Sequence, residues 1–175
     1  MISLQYYLIT DTAKAPDKAH EEDACFDLYA DLMNRKYKIS RTQITSSFSL
    51  CEDCYEDLAT GDLFLPHNAA AIIPTGISFA IPEGYRIDVK SRSGRAAKYR
   101  QFLTNGIGTI DETYVDEIFV LLTNSSGKSY TIKHHDKIAQ FSLEKVLPVS
   151  LIQTSVPPAS LKTSRGGGLG STGDR

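Results

Sequence analysis

The stretch 70–91, AAIIPTGISFAIPEGYRIDVKS, decides the fold class. It holds two runs rich in β-branched and aromatic residues, AAIIPTGISFAI and YRIDVKS, with the turn residues Pro82, Glu83 and Gly84 between them. β-branched and aromatic side chains suit a pleated, half-buried surface, and Pro–Gly punctuation ends a strand. The pattern recurs in both directions: ISLQYYLI (2–9), ACFDLYA (24–30), SFSL (47–50), DLFL (62–65), EIFVLLTN (117–124), SYTI (129–132) and KIAQFSLEKVLPV (137–149). Further turn residues fall in NSSG and HHD. Many short strands with turns between them predict an all-β sandwich, barrel or jelly roll. Two pieces look helical, GRAAKYR (94–100) and, weakly, CEDCYEDLA (51–59). Both are short, and the chain has no long amphipathic helix or repeat to support an α/β reading.

The bulk properties narrow the partners. The chain has 175 residues, 41% of them hydrophobic and 23% charged, with a formal net charge of −2. That suits one folded domain, or one with an insertion, and argues against global disorder. A near-neutral chain has no electrostatic reason to take duplex nucleic acid as its main partner. There is no run of apolar residues long enough to span a membrane. The start, MISLQYYLITDTAKAP, lacks the basic head and long apolar stretch of a secretory signal and reads as a first strand. Three cysteines, Cys25, Cys51 and Cys54, favour reduced thiols in a cytoplasmic or other reducing intracellular compartment. Cys51 and Cys54 form one CxxC, but a structural zinc site needs a second pair or two histidines. They read as free thiols or a redox-labile pair.

Two regions stand outside the strand pattern. Residues 31–65 have mixed composition and no clean period, and read as a surface excursion with an extra hairpin or as a partner-binding, regulatory insertion. The tail, SRGGGLGSTGDR (164–175), cannot build a core and is costly to order. Its unhindered N–H groups, hydroxyls and arginines also suit phosphate oxygens, so it reads either as a frayed end or as a flexible lid. The domain is expected over 1–163, with the lid over 164–175.

The polar candidates come next in the argument. SRSGRAAK (91–98) follows a strand and opens the short helix, so Arg92, Ser93 and Gly94 can face one anion. TNGIGTID (104–111) offers an Asn-Gly turn with exposed main-chain edges and then Asp111. KIAQF (137–141) puts Gln140 on a strand. Each string alone is weak.

Taken in order, these pieces resemble the deoxyuridine triphosphatase family. ACFDLYA resembles its first motif, SRSGRAAK its second, and TNGIGTIDETYVDEI (104–118) its third. IKHHDKIAQF (132–141) resembles the fourth, and RGGGLGSTG (165–173) the glycine-rich fifth. IIPTGISFAIPEGY (72–85) is similar as well, so the resemblance covers most of the chain outside 31–65. It implies a jelly-roll-like β fold with one short helix, assembled as a homotrimer with sites shared among subunits. It implies hydrolysis of dUTP to dUMP and pyrophosphate with Mg²⁺.

Carried over by position, the resemblance makes Asp111 the general base that deprotonates the attacking water. Asp27 would reach Mg²⁺ through a bound water. Arg92, Ser93 and Gly94 would hold phosphate oxygens, with Gln140 nearby. Asn105 and the backbone of Gly108, Thr109 and Ile110 would read the uracil edge. Tyr114 would lie against the deoxyribose and leave no room for a 2′-hydroxyl. From the tail, Arg165, Gly170, Ser171 and Thr172 would close over the phosphates while Leu169 covers the base. Two rivals remain. A dCTP deaminase of the same fold would use an acid such as Glu112 at the base's C4. A regulatory protein-binding module would act through 31–65.

The sequence departs from the family pattern at four places. Leu169 stands where an aromatic stacks on uracil, Cys25 takes a small-residue place, and Asp116 and His135 stand where the motifs carry Gly. Asp and His tolerate positive φ better than most residues, so both backbones are expected to survive the exchange.

Overall fold

A computed structural model describes residues 2–33, 35–41, 54–57 and 61–155. The chain forms, in order, β1 (Gln5–Leu8), β2 (Phe26–Tyr29), β3 (Lys36–Arg41), β4 (Cys54–Asp57), β5 (Asp62–Leu65), β6 (Ala69–Pro74), β7 (Ile77–Ala80) and β8 (Tyr85–Lys90). Then come helix α1 (Ser93–Tyr99), β9 (Gln101–Leu103), β10 (Ile107–Ile110), β11 (Phe119–Asn124), β12 (Tyr130–Lys133) and β13 (Lys137–Lys145). The fold is mostly β with one short helix, as the strand pattern predicts.

Every strand pair is antiparallel. One sheet runs β10-β8-β13-β2 and another β4-β3-β6-β11-β9, with two-stranded sheets β1-β7 and β12-β5 beside them. The side-chain period of two makes one core from both large sheets. Ala71 and Ile73 of β6 and Val120 and Leu122 of β11 are buried on one side, Ile87 and Val89 of β8 and Phe141 of β13 on the other. Phe141 stacks on Phe26, ring centroids 5.4 Å apart, and meets Phe79 at 4.9 Å.

The weak helical expectation over 51–59 fails at 54–57, where the backbone is the strand β4 paired with β3. Sheet pairing overrides a marginal helix propensity, as tertiary context commonly does. The excursion is also narrower than 31–65. Asp31 and Leu32 are fully buried at its start, and Leu63 and Leu65 at its end. Its first strand pairs with β6 and so extends the five-stranded sheet. The SFSL run (47–50) lies outside the described residues.

His134 ties the two feet of the excursion together. Its Nδ1 accepts the Leu32 N–H at 3.0 Å, and its own N–H reaches the Gly61 carbonyl at 2.8 Å. Its neighbour His135 takes φ 66°, the left-handed conformation that the missing glycine called for, and its Nε2 lies 2.7 Å from the Thr12 carbonyl. Asp116, the other residue at a glycine place, is not among the described residues of positive φ. That stretch needs no left-handed residue. Asp31 is buried as a carboxylate but satisfied, by Thr10 Oγ1 at 2.6 Å and Thr12 Oγ1 at 2.7 Å.

Two glycines share a conformation and differ in surroundings. Gly76 has φ +68°, and a Cβ there would stand 2.6 Å from Ala13 Cβ and 2.6 Å from Asp31 Oδ2. Gly84 has φ +76° and no atom within 4 Å of that place. Gly84→Ala should therefore cost about 1 kcal/mol, the left-handed backbone penalty alone. Gly76→Ala should cost at least about 2 kcal/mol, because overpacking adds to it. Urea unfolding of the two variants checks the difference.

Burial first, and His135 second, hold the His134 imidazole below its ordinary value of 6.5, against the opposing pull of Asp31. A depressed base is neutral in the fold over a pH range where the unfolded chain already takes up a proton. Its contribution to stability is therefore complete above the unfolded value and lost as pH falls through the folded one. His134→Asn keeps an acceptor near Nδ1 and does not titrate. The variant should lose less stability than wild type between neutral pH and the acid side of His134, read as urea midpoints against pH.

Candidate active site

The sequence-predicted residues fall into two groups. The first gathers where β2, β8 and β13 lie side by side. Gln140 of β13 pairs in register with Asp27 of β2 and with Lys90 of β8. A register shift between Lys137 and Ala139 makes a bulge in β13. It is the device by which strands re-aim a side chain. Ile138 and Ala139 are both buried in succession, and Gln140 is turned to the Ser91 carbonyl, 3.2 Å from its Nε2.

Asp27 is 7% exposed, and two cations hold its carboxylate. Arg92 Nε donates to Oδ1 at 2.8 Å and Lys137 Nζ to Oδ2 at 2.7 Å. The hydrogen bond to Asp27, outweighing the cost of burial, raises the Lys137 ammonium above the usual lysine range. Beside them opens a cavity of about 230 Å³ lined by Ala19, Asp23, Ala24, Cys25, Asp27, Arg92 and Gln140. Ser93 and Gly94 are exposed at the start of α1, and a Cβ at Gly94 would meet nothing within 4 Å. This group is concave and brings Arg92 and Lys137 close together beside the cavity, which suits phosphate oxygens.

Sequence reasoning missed two residues of this group. Lys137 stands three places before Gln140 in the same motif, and a basic residue so close to a site strand was a readable signal. Arg95 was not readable. Its guanidinium donates to the Lys137 carbonyl at 2.6 Å, to Gln101 Oε1 at 2.6 Å and to Asp136 Oδ2 at 3.1 Å. Two of those partners, Asp136 and Lys137, stand more than forty residues on, around the start of β13, and they clamp the short helix against the bulge.

The second group lies on the turn after β9, on β10 and on the loop that follows it. Gly106 has φ +72° in the turn, and its N–H reaches the Leu103 carbonyl at 3.1 Å. At Gly108 a Cβ would come within 3.3 Å of Asn105 Nδ2 and 3.4 Å of Val89 Cβ, so the strand edge is closely packed there. A cavity of about 260 Å³ is lined by Thr109, Ile110, Asp111, Tyr114, Ile118, Phe119 and Leu121. Asp111 is exposed. Its carbonyl accepts the Tyr114 N–H at 3.0 Å, and the Tyr114 hydroxyl donates to the Glu117 carbonyl at 2.8 Å. Burial, then Asp116 and Glu117, push the Tyr114 phenol above its ordinary value. Glu112 Oε2 accepts the Gly84 N–H at 2.7 Å. It does not line the Tyr114 cavity but a second one, with Tyr85, Arg86 and Asp111, the last of which lines both.

Asp111 and Arg92 lie at opposite ends of β8, and the second group runs between them, its Asn105 side toward Arg92. Ile110 pairs with Ile87, so Asp111 comes next to Arg86, whereas Ile107 pairs with Lys90, two residues before Arg92. From Arg86 to Arg92 is six steps, roughly 20 Å at the rise of an extended strand. Arg165, Leu169, Gly170, Ser171 and Thr172 lie outside the described residues, as does Cys51. Among the described cysteine side chains, Cys25 is free.

A family model described as dUTPase matches residues 54–173. The match holds four of the five motif stretches and begins within the excursion, so ACFDLYA lies before it. The deoxyuridine 5′-triphosphate nucleotidohydrolase of Chlamydia trachomatis serovar L2 is 43% identical over 105 residues, 59% of this chain and 71% of that protein. The Fusobacterium nucleatum protein of the same name is 39% identical over 103 residues, 58% of this chain and 68% of its own. Among solved structures, the Staphylococcus bacteriophage 80alpha dUTPase with dUPNHPP superposes with a TM-score of 0.73 at 21% identity, covering 99% of both chains. The dUTPase of phage phi11 of S. aureus, known with its species-specific insert, gives 0.67 at 20% identity over 90% of this chain and 99% of that one. On the family match and the identity to these relatives, the chain belongs to the dUTPase family.

Proposed function

We propose that the protein hydrolyses dUTP to dUMP and pyrophosphate at sites completed between subunits of a homotrimer. The observation that carries this reading is the distance of roughly 20 Å along β8 between the Asp111 and Arg92 groups. A base must be within hydrogen-bond reach of the water it deprotonates, and that water must stand against the α-phosphorus. The residues that grip the phosphates must therefore lie within a few ångströms of the same base. The separation of Asp111 from Arg92 along β8 supports a reading in which they reach one nucleotide from two copies of the chain. Exposed apolar side chains at Val146, Leu147, Val149, Leu151 and Ile152, and at Tyr6, Tyr7, Leu8 and Ile9, support burial against other copies.

In this reading Asn105 and the backbone of Gly108, Thr109 and Ile110 hold the uracil edge, and Tyr114 packs on the deoxyribose. Arg92, Ser93, Gly94 and Gln140 of another chain hold the triphosphate. Asp111 takes a proton from water as the oxygen attacks the α-phosphorus, and the bond to the β-phosphate oxygen breaks in line. Pyrophosphate leaves with that electron pair. Arg165, Gly170, Ser171 and Thr172 cover the phosphates and Leu169 the base. Glu112 is held by the Gly84 N–H away from the Tyr114 cavity, which speaks against a deaminase reading.

Mg²⁺ would arrive on the triphosphate. Among the described residues no group of three or more His, Cys, Asp or Glu side chains could hold a metal. Asp27 is a single carboxylate with two cationic partners. That donor set fits contact through water to an ion the phosphates carry, since Mg²⁺ keeps much of its hydration shell. The metal, once bound, offsets the charge of the phosphates during transfer.

Asp111→Asn should bind dUTP nearly as well as wild type and lose about 10²–10⁴-fold in kcat, the range for a positioned base. Pyrophosphate release beside equilibrium binding of a dUTP analogue checks both halves, and a variant keeping more than about a tenth of wild-type kcat removes Asp111 as the base. Sharing of sites has its own test. Asp111→Asn and Arg92→Ala trimers, each nearly inactive, should regain activity when co-refolded, because some sites then take an intact Asp111 from one chain and an intact Arg92 from another. Demonstrated mixed trimers without recovery would place both groups of each site on one chain.

A further inference from the structure

The excursion and the nucleotide pocket meet at one ion pair. Arg35, just before β3, donates from Nη2 to Glu117 Oε2. Little of the pair faces water, with 20% of the Arg35 side chain and 13% of that of Glu117 exposed. The other carboxylate oxygen of Glu117 accepts the Gly76 N–H at 2.7 Å. The main-chain carbonyl of Glu117 accepts the Tyr114 hydroxyl at 2.8 Å. One residue thus receives the excursion on its side chain and the pocket tyrosine on its backbone.

The rest of that loop is thinly held. Residues 111–116 are all exposed. Glu112 fastens its start to the Gly84 N–H, and Glu117 fastens its end, where the next residue, Ile118, donates to the Ile77 carbonyl at 2.8 Å. Between these feet the Tyr114 ring has two soft torsions and one hydroxyl bond to fix it. Its position is only as definite as the carbonyl that accepts that bond.

We propose that Arg35 is a positioning residue for sugar selectivity: by fixing Glu117 it fixes the Tyr114 ring, so that the inserted segment sets how closely the pocket closes on the deoxyribose. The proposal rests on the reading of Tyr114 given above. Without Arg35, the Glu117 carboxylate remains charged and mostly covered, with a single neutral N–H for a partner. A charge so placed turns toward water. The peptide that carries the Glu117 carbonyl is then held by the Ile118 N–H without the side-chain brace beside it, and the tyrosine's anchor loosens. Space opens where a 2′-hydroxyl would lie. Arg35 reaches neither Asp111 nor the phosphate group, so the change falls on selectivity and not on the chemical step.

The test uses the full-length protein and steady-state kinetics with dUTP and UTP. Arg35→Met should raise kcat/KM for UTP relative to dUTP several-fold, mostly through KM, with kcat for dUTP within about twofold of wild type. Arg35→Lys should recover part of the discrimination, since it restores the charge without the fork. Tyr114→Phe removes the hydroxyl bond and should shift the ratio the same way. Adding Arg35→Met to it should shift the ratio little further, because both act through one bond. Should Arg35→Met fail to fold by circular dichroism, Glu117→Gln removes the pair, keeps an acceptor for Gly76 and carries the same expectation. A folded Arg35→Met or Glu117→Gln with the wild-type ratio, while Tyr114→Phe or Tyr114→Ala alters it, overturns the role of Arg35. If no variant at 114 alters the ratio, Tyr114 does not read the sugar, and the proposal falls with that reading.

Discussion

Strand β8 is a ruler, and the site depends on its stiffness. An extended chain advances by a fixed rise per residue and cannot fold back without breaking its ladder. β8 is paired on both edges, with β10 on one side and β13 on the other. It also carries Ile87 and Val89 into the core. Neither end can therefore move toward the other. Asp111 at one end and Arg92 at the other are each well placed and kept apart. In the reading proposed above a nucleotide needs both at once, and the rigidity of β8 is the reason that reading takes them from two chains.

The phosphate half-site shows how a small β domain holds cations close together. Arg92 and Lys137 would repel each other across the pocket mouth if Asp27 did not stand between them. Lys137 also lies over the ring of Tyr29, 5.6 Å from its centroid, and Lys14 over the same ring at 3.8 Å. Aromatic faces and carboxylates together offset several like charges in one place. Arg95 then uses all three arms of its guanidinium on main chain and polar side chains, which fixes α1 although seven residues are too few for a helix to be stable alone. The side chains of the cluster are thus fixed by one another.

What was legible in the sequence was what local chemistry decides. Alternation and turn residues gave the strands. His135 was readable as a residue on a glycine's backbone because its φ is a local property. Asp116 was readable only as a departure, since whether a position needs positive φ depends on the path of the whole loop. The ordered motifs brought Asp111, Asn105, Arg92 and Gln140 forward, although the placing of Asp111 and Arg92 at opposite ends of β8 depends on register, which strings of residues do not print. Arg95 and Glu117 stayed hidden for the same reason. Their partners are far off in the chain, 41 and 42 residues for the Arg95 bonds to Asp136 and Lys137, 82 for that between Glu117 and Arg35. Both were sequence-ordinary residues until the fold brought those partners to them.

The excursion is where the sequence was least informative and the fold most explanatory. Loop-closure entropy grows only slowly with length, so an insertion between fixed feet costs little more than a short connection. The feet here are fixed. Leu32 and Gly61 both bond to His134, and Met33 packs against Gly61 so closely that a Cβ there would stand 2.7 Å from its sulfur. What the insertion adds to the sheet is a neighbour for β6, pairing Lys38 to Arg41 with Ile72 to Ala69. Without it that edge of the five-stranded sheet would present unpaired N–H and C=O groups, which natural sheets avoid. Covering the edge explains why a segment of irregular composition still runs as strands. The Arg35 bond to Glu117 then ties the start of those strands to the pocket loop, so the added segment cannot be exchanged as a free appendage.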